Sequence, residues 1–359
     1  MRVLNFNGGP AALPVPVLER AAAEMLDWQG TGMSIMENSH RDKKVVAMAE
    51  ETQAVLLELL GLGSEWKVLF CQGGASLQFA MIPLNFAVGE VADYIDTGMW
   101  STKAYQEAEI VGAKPHLAAS SKADDFTYIP REYKYSEKPR YVYLTSNNTV
   151  RGTQWPSFPQ DAPAPLIADM SSEFLSRPLD LSKFALVHAG AQKNVGPAGL
   201  TIVLIRPDFA ETARKNVPHM LDYRTYIEHD SMFNTPPVFA IYVAGLVFKW
   251  LRDEIGGLAK IQKLNQAKAE YLYNAIDQSG GFYRGTARVD SRSPMNVTFR
   301  LANPDLEKTF LDEAKKANMA GLNGHRSVGG MRASIYNAVD FQAVKTLVDF
   351  MAEFQKKRG

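Results

Sequence analysis

The sequence predicts an α/β chain: a mostly parallel, doubly wound sheet, followed by a smaller α+β unit at the C-terminal end. Three observations carry this. Short apolar runs at residues 67–71, 93–96, 141–145, 166–169, 184–188 and 200–205 are separated by segments with helical spacing, the alternation expected of strands joined through helices. A unit reading strand, glycine turn, helix runs from Lys67 through Gln72-Gly-Gly-Ala-Ser76 to Phe86. Beyond Gly256-Gly257 the pattern changes to an amphipathic helix, an alternating strand around Met295-Asn-Val-Thr-Phe-Arg300 and a closing helix striped by Phe341, Val344, Leu347, Val348, Met351 and Phe354. The expected boundaries are an N-terminal arm over 1–15, a large unit over 16–256 and a small unit over 257–359.

Composition narrows the class. The 359 residues are 46% hydrophobic and 22% charged, ordinary for a globular enzyme, and 39 basic against 39 acidic side chains give no net charge. No global field draws such a chain to nucleic acid or an acidic membrane, so any anion site has to be built locally. The one cysteine, Cys71, lies in an apolar run, fits a buried structural thiol and suits a reducing compartment. With no membrane-length apolar run and no signal pattern, the expected location is the cytoplasm. No metal-ligand spacing stands out.

Taken in order, the arm Asn5-Phe-Asn-Gly-Gly-Pro10 is turn-rich, and a helix is expected through Leu18 and Met25 to Trp28. Ser39-His40-Arg41 precedes a second helix carrying Val45, Met48, Val55, Leu56 and Leu59. That helix start offers an anion site which His40 and Arg41 would reinforce, unless both are simply solvated. In the glycine turn, Ser76 is placed both to cap the following helix and to donate to a phosphate. The turn lacks the lysine of a P-loop and the third glycine of a dinucleotide fingerprint, so nucleotide binding is not indicated. Trp100 opens another helix at a strand's carboxyl edge, able to pack in the core or to stack on a planar ligand. The stretch 205–218 reads as helical and charged. Ser231-Met-Phe-Asn-Thr-Pro-Pro237 is a loop made rigid by its double proline, with Asn234 and Thr235 as short donors. His325, Arg326 and Arg332 gather in the glycine-rich segment 321–334, either as a solvated basic loop or as a grip on an anion.

Lys193 is the residue that gives these parts a common purpose. It stands in His188-Ala-Gly-Ala-Gln-Lys-Asn-Val-Gly-Pro-Ala-Gly199, between two β-type runs, where an ammonium is either a surface loop charge or a desolvated amine of lowered pKa able to form an imine. Asp169 ends another buried-type strand, bringing a carboxylate to the same sheet edge, where ligands of open α/β sheets bind. A planar cofactor that carries a phosphate, forms an imine with lysine and wants an acid opposite its ring nitrogen is pyridoxal phosphate. Lys193, Asp169, the turn at Gly74-Ala-Ser76 and Trp100 meet those requirements in turn.

Five stretches resemble signatures of the phosphoserine aminotransferase family, class V aminotransferases of PLP fold type I. They are Asn5-Phe-Asn-Gly-Gly-Pro10, Ser39-His-Arg41, Gly190-Ala-Gln-Lys-Asn-Val-Gly-Pro-Ala-Gly199, Phe233-Asn-Thr-Pro-Pro237 and Gly324-His-Arg-Ser-Val-Gly-Gly-Met-Arg332. The resemblance spans nearly the whole chain and implies a large unit with a mostly parallel sheet of the seven-stranded type, and an N-terminal arm near the active site. It implies that Lys193 bonds the cofactor, Asp169 meets the ring nitrogen and Trp100 stacks on the ring, with Ala75, Ser76, Thr149 and Gln192 as further contacts. It also implies a homodimer in which Asn234 and Thr235 reach the neighbouring subunit's cofactor phosphate, and substrate binding by His40, Arg41, His325, Arg326 and Arg332. The implied reaction moves an amino group from glutamate to 3-phosphohydroxypyruvate in two half-reactions at one site, with 4-phosphohydroxythreonine as a further possible product. Ser76 departs from the arginine that many bacterial members carry, leaving one fewer positive charge at the phosphate. An alanine-glyoxylate type aminotransferase, a cysteine desulfurase, a PLP-free lysine aldolase and a non-catalytic binder of phosphorylated metabolites are the competing readings.

Overall fold

The computed structural model, which describes residues 2–359, gathers these runs into one seven-stranded sheet. Its order is Lys67–Cys71, Thr201–Ile205, Phe184–Gly190, Leu166–Asp169, Val142–Thr145, Val91–Asp96, Lys114–Ser120. Thr201–Ile205 runs antiparallel to both its neighbours, and every other pairing is parallel. Lys67–Cys71 and Phe184–Gly190 both oppose that strand, so they point the same way. Six carboxyl ends, those after Cys71, Asp96, Ser120, Thr145, Asp169 and Gly190, therefore share one edge of the sheet.

Strands covered on both faces read as unbroken apolar runs. Every residue of Val142–Thr145, Leu166–Asp169, Phe184–Gly190 and Thr201–Ile205 is buried. The two-residue period of a strand then divides each run between two cores. Val68 and Phe70 join one cluster with Val45, Leu56, Ile241 and Phe248 of the helices Lys43–Leu60 and Val238–Lys249. Leu69 and Cys71 join the other with Phe79 and Ile82 of Gly74–Phe86 and Ala104 and Ala108 of Met99–Ile110.

A second sheet, Tyr283–Gly285, Asn296–Leu301 and Met331–Ser334, is antiparallel. It packs with the helices Leu258–Asp277, Asp305–Lys316 and Phe341–Arg358 around a third apolar cluster. The N-terminal arm is stitched to this part of the chain: Leu4–Asn5 pairs parallel with Met319–Ala320, and Phe6 is fully buried in the third cluster. Among the described residues, no helix is long and apolar enough to cross a membrane.

Several expectations are corrected. The first helix spans Val15–Ala23 and stops well short of Trp28, which is buried in a separate turn, while Leu26 is 86% exposed. Only Pro207–Ala210 of the stretch 205–218 is helical, because Phe209, Ala210 and Ala213 give it too few core contacts to sustain further turns. Gly74–Phe86 starts two residues before Ser76 and is capped by Gly73 without a side-chain bond, so Ser76 is not the cap. The edge strand Lys114–Ser120 carries no sequence signal of comparable strength, since only Ala118 is buried and the strand includes a proline and a histidine.

The helix Leu258–Asp277 joins two cores. Leu258 and Ile261 belong to the first cluster, Leu272 and Ile276 to the third, and between them sit two buried polar residues, Asn265 and Lys268. Asn265 Nδ2 donates to Ser176 O at 3.1 Å and to Asn337 Oδ1 at 2.8 Å. Lys268 Nζ donates to the carbonyls of Ile335, Tyr336 and Val339 at 3.0, 2.9 and 2.7 Å. Burial draws the Lys268 pKa down to about 7, with the Asp340 carboxylate opposing; three acceptors for the three N–H bonds of an ammonium also oppose it. Replacing Lys268 by Met leaves those carbonyls unpaired in the interior. The expected loss is at least about 2 kcal/mol, read as a lower urea midpoint, and an unchanged midpoint would show that the carbonyls find other partners.

Candidate active site

The shared strand edge opens into a cleft of about 330 Å³. Its lining includes Ala75, Ser76, Trp100, Thr149, Asp169, Gln192, Lys193, His325 and Arg332, brought together from segments 257 positions apart at their extremes. Each reaches the cleft for a local reason. Gly73 and Gly74 turn the chain after Cys71 with φ of 84° and 68°, values that favour glycine, so that the first helical turn of Gly74–Phe86 faces the cleft. Trp100 lies in the first turn of Met99–Ile110, directly after the Val91–Asp96 strand and its turn.

Asp169 is the last residue of its strand and is buried, at 4% exposed. Ser171 fixes its rotamer: Ser171 N and Oγ both donate to Asp169 Oδ1, at 2.9 and 2.6 Å. Ser171 Oγ in turn accepts from Gly190 N at 2.9 Å, tying the aspartate turn to the strand that leads to Lys193. This two-residue Asx arrangement is the functional contact that residue-by-residue reading missed, although an Asp followed two positions later by Ser is its signal. Behind Asp169, the in-register His188 is fully buried, with Nε2 3.1 Å from the Tyr143 hydroxyl. Burial lowers the His188 pKa, and Asp169 opposes that shift.

Lys193 is half-buried, and its Nζ donates to Thr149 Oγ1 at 2.6 Å. The same nitrogen lies 5.3 Å from the centre of the Trp100 ring. Burial pulls the Lys193 amine down to about 8; the Asp169 carboxylate opposes this and the Arg332 guanidinium reinforces it. Desolvation thus raises the share of free amine above that of a solvated lysine.

Arg332 projects from Met331–Ser334 of the small sheet toward the large one, where Nη1 donates to Thr149 O at 3.3 Å and Nε is buried without a partner. Burial lowers its pKa, with Tyr336 opposing. The arm closes over it: a side chain on Gly8 would collide with the Arg332 guanidinium, and one on Gly9 would come within 3.0 Å of Lys193 Cγ. Tyr336 donates from its hydroxyl to Gly8 O at 3.0 Å and holds the arm there. His325 Nδ1 is 2.8 Å from Ser327 Oγ; burial lowers its pKa, followed by the positive charges of Arg332, Arg326 and Lys103.

His40, Arg41, Asn234, Thr235 and Arg326 do not line this cleft within one chain. Arg41, Thr235 and Arg326 are exposed, and His40 Nε2 is buried without a partner. At the start of Lys43–Leu60, Asp42 caps the helix and its carboxylate accepts from Lys44 N at 2.8 Å, so that amide is already partnered. The Asn234 loop runs beside the glycine turn, where Gln72 Nε2 donates to Thr235 O at 3.2 Å.

The donor set suits a flat aldehyde that bears a phosphate. It offers an amine of lowered pKa, a fixed carboxylate, an indole wall and a helix start opened by glycines. Among the described residues, no group of His, Cys, Asp and Glu side chains is placed to hold a metal ion.

Comparison with known proteins gives the same picture. The model of the family Aminotransferase class-V matches residues 3–347. Phosphoserine aminotransferase of Desulfosudis oleivorans is 53% identical over 359 residues, covering 100% of this chain and 99% of the relative. The solved phosphoserine aminotransferase of Bacillus circulans subsp. alkalophilus superposes with a TM-score of 0.97 at 53% identity, over 100% of this chain and 99% of that one. A PLP-bound phosphoserine aminotransferase of Trichomonas vaginalis gives 0.93 at 40% identity, over 98% and 100%. With the cleft geometry and full-length similarity in agreement, this chain belongs to the class V aminotransferases, and among them to the phosphoserine aminotransferase family.

Proposed function

We propose that the protein transfers the amino group of L-glutamate to 3-phosphohydroxypyruvate, yielding O-phospho-L-serine and 2-oxoglutarate, with pyridoxal phosphate held in the cleft around Lys193. The observation that carries this is the placement of Lys193 Nζ between Asp169, Thr149 and the Trp100 ring, with Arg332 beside it. When bound, the cofactor supplies a carbonyl carbon on which amines exchange and a ring that accepts electrons. The N-terminal turn of Gly74–Phe86, with Ala75 and Ser76, holds the phosphate through backbone N–H groups and the helix dipole. Asp169, locked through Oδ1 by Ser171, keeps its other oxygen for the ring nitrogen and holds a proton there. Trp100 and Gln192 bound the ring space.

Lys193 has two tasks. Its lowered pKa makes it a nucleophile that anchors the cofactor, and once the substrate's amino group takes its place it is free to remove the proton from the substrate's α-carbon. Thr149 Oγ1 orients that amine. Arg332 grips the α-carboxylate, since it lies beside Lys193 and its Nε has no protein partner. Arg41, His325 and Arg326, with His40, take the distal carboxylate or phosphate, so one cationic cluster serves both half-reactions. Gly8 and Gly9 close the arm over the site and limit water access.

The same reading includes a homodimer in which Asn234 and Thr235 reach the neighbour's phosphate, in the cytoplasm. Leu26, Met33, Met36 and Phe233 are exposed apolar side chains near the segments this reading assigns to the subunit contact. The reading also divides the chain at residues 15 and 256; the third apolar cluster draws nearly all its buried residues from beyond 256, with Phe6 of the arm added to it. 4-Phosphohydroxythreonine, with its phosphate and amino acid end, fits the same cluster as a second substrate. A desulfurase would need a reactive mobile cysteine, whereas Cys71 is buried in a strand and burial pushes its thiol up.

The direct test is to purify the protein, look for the yellow bound cofactor, reduce it with borohydride and map the modified peptide. Label on Lys193 is expected; label elsewhere, or no cofactor, overturns the assignment. Glutamate should convert the bound cofactor to its amino form, and alanine should fail; the opposite result would favour an alanine-glyoxylate type enzyme. Lys193→Ala should lower kcat by roughly 10²- to 10⁴-fold or more. Arg332→Met should raise KM for glutamate and for the phosphorylated keto acid together, by about 10- to 100-fold.

Cofactor capture by the apoprotein reports the Lys193 proton. Only the free amine attacks, so the capture rate should rise as pH increases through about 8 and level off above it. Arg332→Met removes a charge that lowers this pKa and should move the midpoint up. Asp169→Asn removes one that raises it and should move the midpoint down. A pH-independent capture rate would refute the assignment of the lowered pKa.

A further inference from the structure

Lys103 has no role in the reading above and does not itself line the cleft, yet it stands beside Trp100, which does. It lies one helical turn after Trp100 in Met99–Ile110, and its Nζ is 5.0 Å from the centre of the Trp100 ring, which also has Lys193 Nζ at 5.3 Å. One indole is therefore flanked by two ammonium groups, the inner one at the reacting centre and the outer one exposed. Lys103 is also close enough to His325 for its charge to oppose protonation of that imidazole, as do Arg332 and Arg326. Among the described residues, none of Lys103, Arg326 and Arg332 forms an ion pair with a carboxylate, although Glu107 lies one turn from Lys103 on the same helix. Several cations left unpaired around one opening repel one another unless an anion joins them.

We infer that Lys103 is a specificity-determining residue that supplies a point charge to the distal phosphate of the substrate. This rests on the proposed reaction. Arg332 sits beside Lys193 and suits the planar α-carboxylate, whereas a mobile, hydrated ammonium suits a compact dianion at the outer end. Coulomb attraction scales with ligand charge, so a nearly dianionic phosphate gains about twice the free energy that a carboxylate gains at the same place. Lys103 thus favours the phosphorylated substrate over glutamate, although both use the cleft.

The test compares the wild-type holoenzyme with Lys103→Gln and Lys103→Arg. In Lys103→Gln, KM for 3-phosphohydroxypyruvate should rise roughly tenfold and KM for glutamate roughly threefold, while Lys103→Arg stays close to wild type. Inorganic phosphate, used as a competitive inhibitor of the glutamate half-reaction at low ionic strength, gives a reading independent of the keto acid. Its Ki should rise about tenfold in Lys103→Gln and should be less salt-dependent than in wild type. Equal effects on phosphorylated and carboxylate ligands, or an unchanged phosphate Ki, would overturn the role of Lys103. Wild-type enzyme that ignores 3-phosphohydroxypyruvate would overturn the proposed reaction instead, and the phosphate Ki would still decide the question for Lys103.

Discussion

The Lys193 amine is held where burial, a carboxylate and a guanidinium all act on it. Burial lowers its pKa, Asp169 opposes that shift and Arg332 adds to it by less, leaving the amine at about 8. The rest of the structure serves that balance. Ser171 fixes the carboxylate, Thr149 fixes the amine, and the arm folds over the guanidinium at Gly8. Because the three charges come from different elements, the balance exists only when the sheet, the small sheet and the arm are assembled.

Assembly depends on one strand running against the others. Thr201–Ile205 lies between Lys67–Cys71 and Phe184–Gly190 and reverses direction, so the strand that leads to the glycine turn and the strand that leads to Lys193 end on the same edge. The small sheet is attached to that edge through polar contacts rather than grease. Asn147 Nδ2 donates to Ser172 Oγ and to Asn296 Oδ1, at 2.8 and 2.7 Å, and Asn296 Nδ2 donates to Ser334 Oγ at 2.9 Å. Asn337 N donates to Asn194 Oδ1 at 2.9 Å, one residue from Lys193. All of these residues are buried. Directional bonds in a dry seam specify one relative placement of the two sheets, where an apolar seam would tolerate several. Arg332, two residues from Ser334, is placed by that seam.

Charge is distributed by the same logic. A chain with no net charge concentrates Lys193, His325, Arg326, Arg332 and Lys103 around one opening and pairs many of its other arginines with carboxylates. The buried Asp169 is the carboxylate acting among them, opposing the lowering of the Lys193 and His188 pKa values while Ser171 fixes its orientation. The resulting field acts locally on small anions, which suits a family whose members handle phosphoserine.

Much of this was legible in the sequence. The strand that ends in Asp169, the glycine turn, the lysine among small residues and the basic segment near Arg332 each carry a local signature, because backbone geometry and desolvation restrict which residue types can stand there. Their chemistry followed from residue type, and the apolar runs fixed the fold class, because strands buried on two faces leave no room for polar positions. Tertiary structure decided what local patterns cannot encode. Asp42 partners Lys44 N at the start of Lys43–Leu60; Ser76 lies inside a helix capped by glycine; the half-buried edge strand Lys114–Ser120 had no pattern to read. Lys103 and Ser171 gained meaning only when folding set them against Trp100 and Asp169, since a side chain's partners depend on distances in space that sequence separation does not determine.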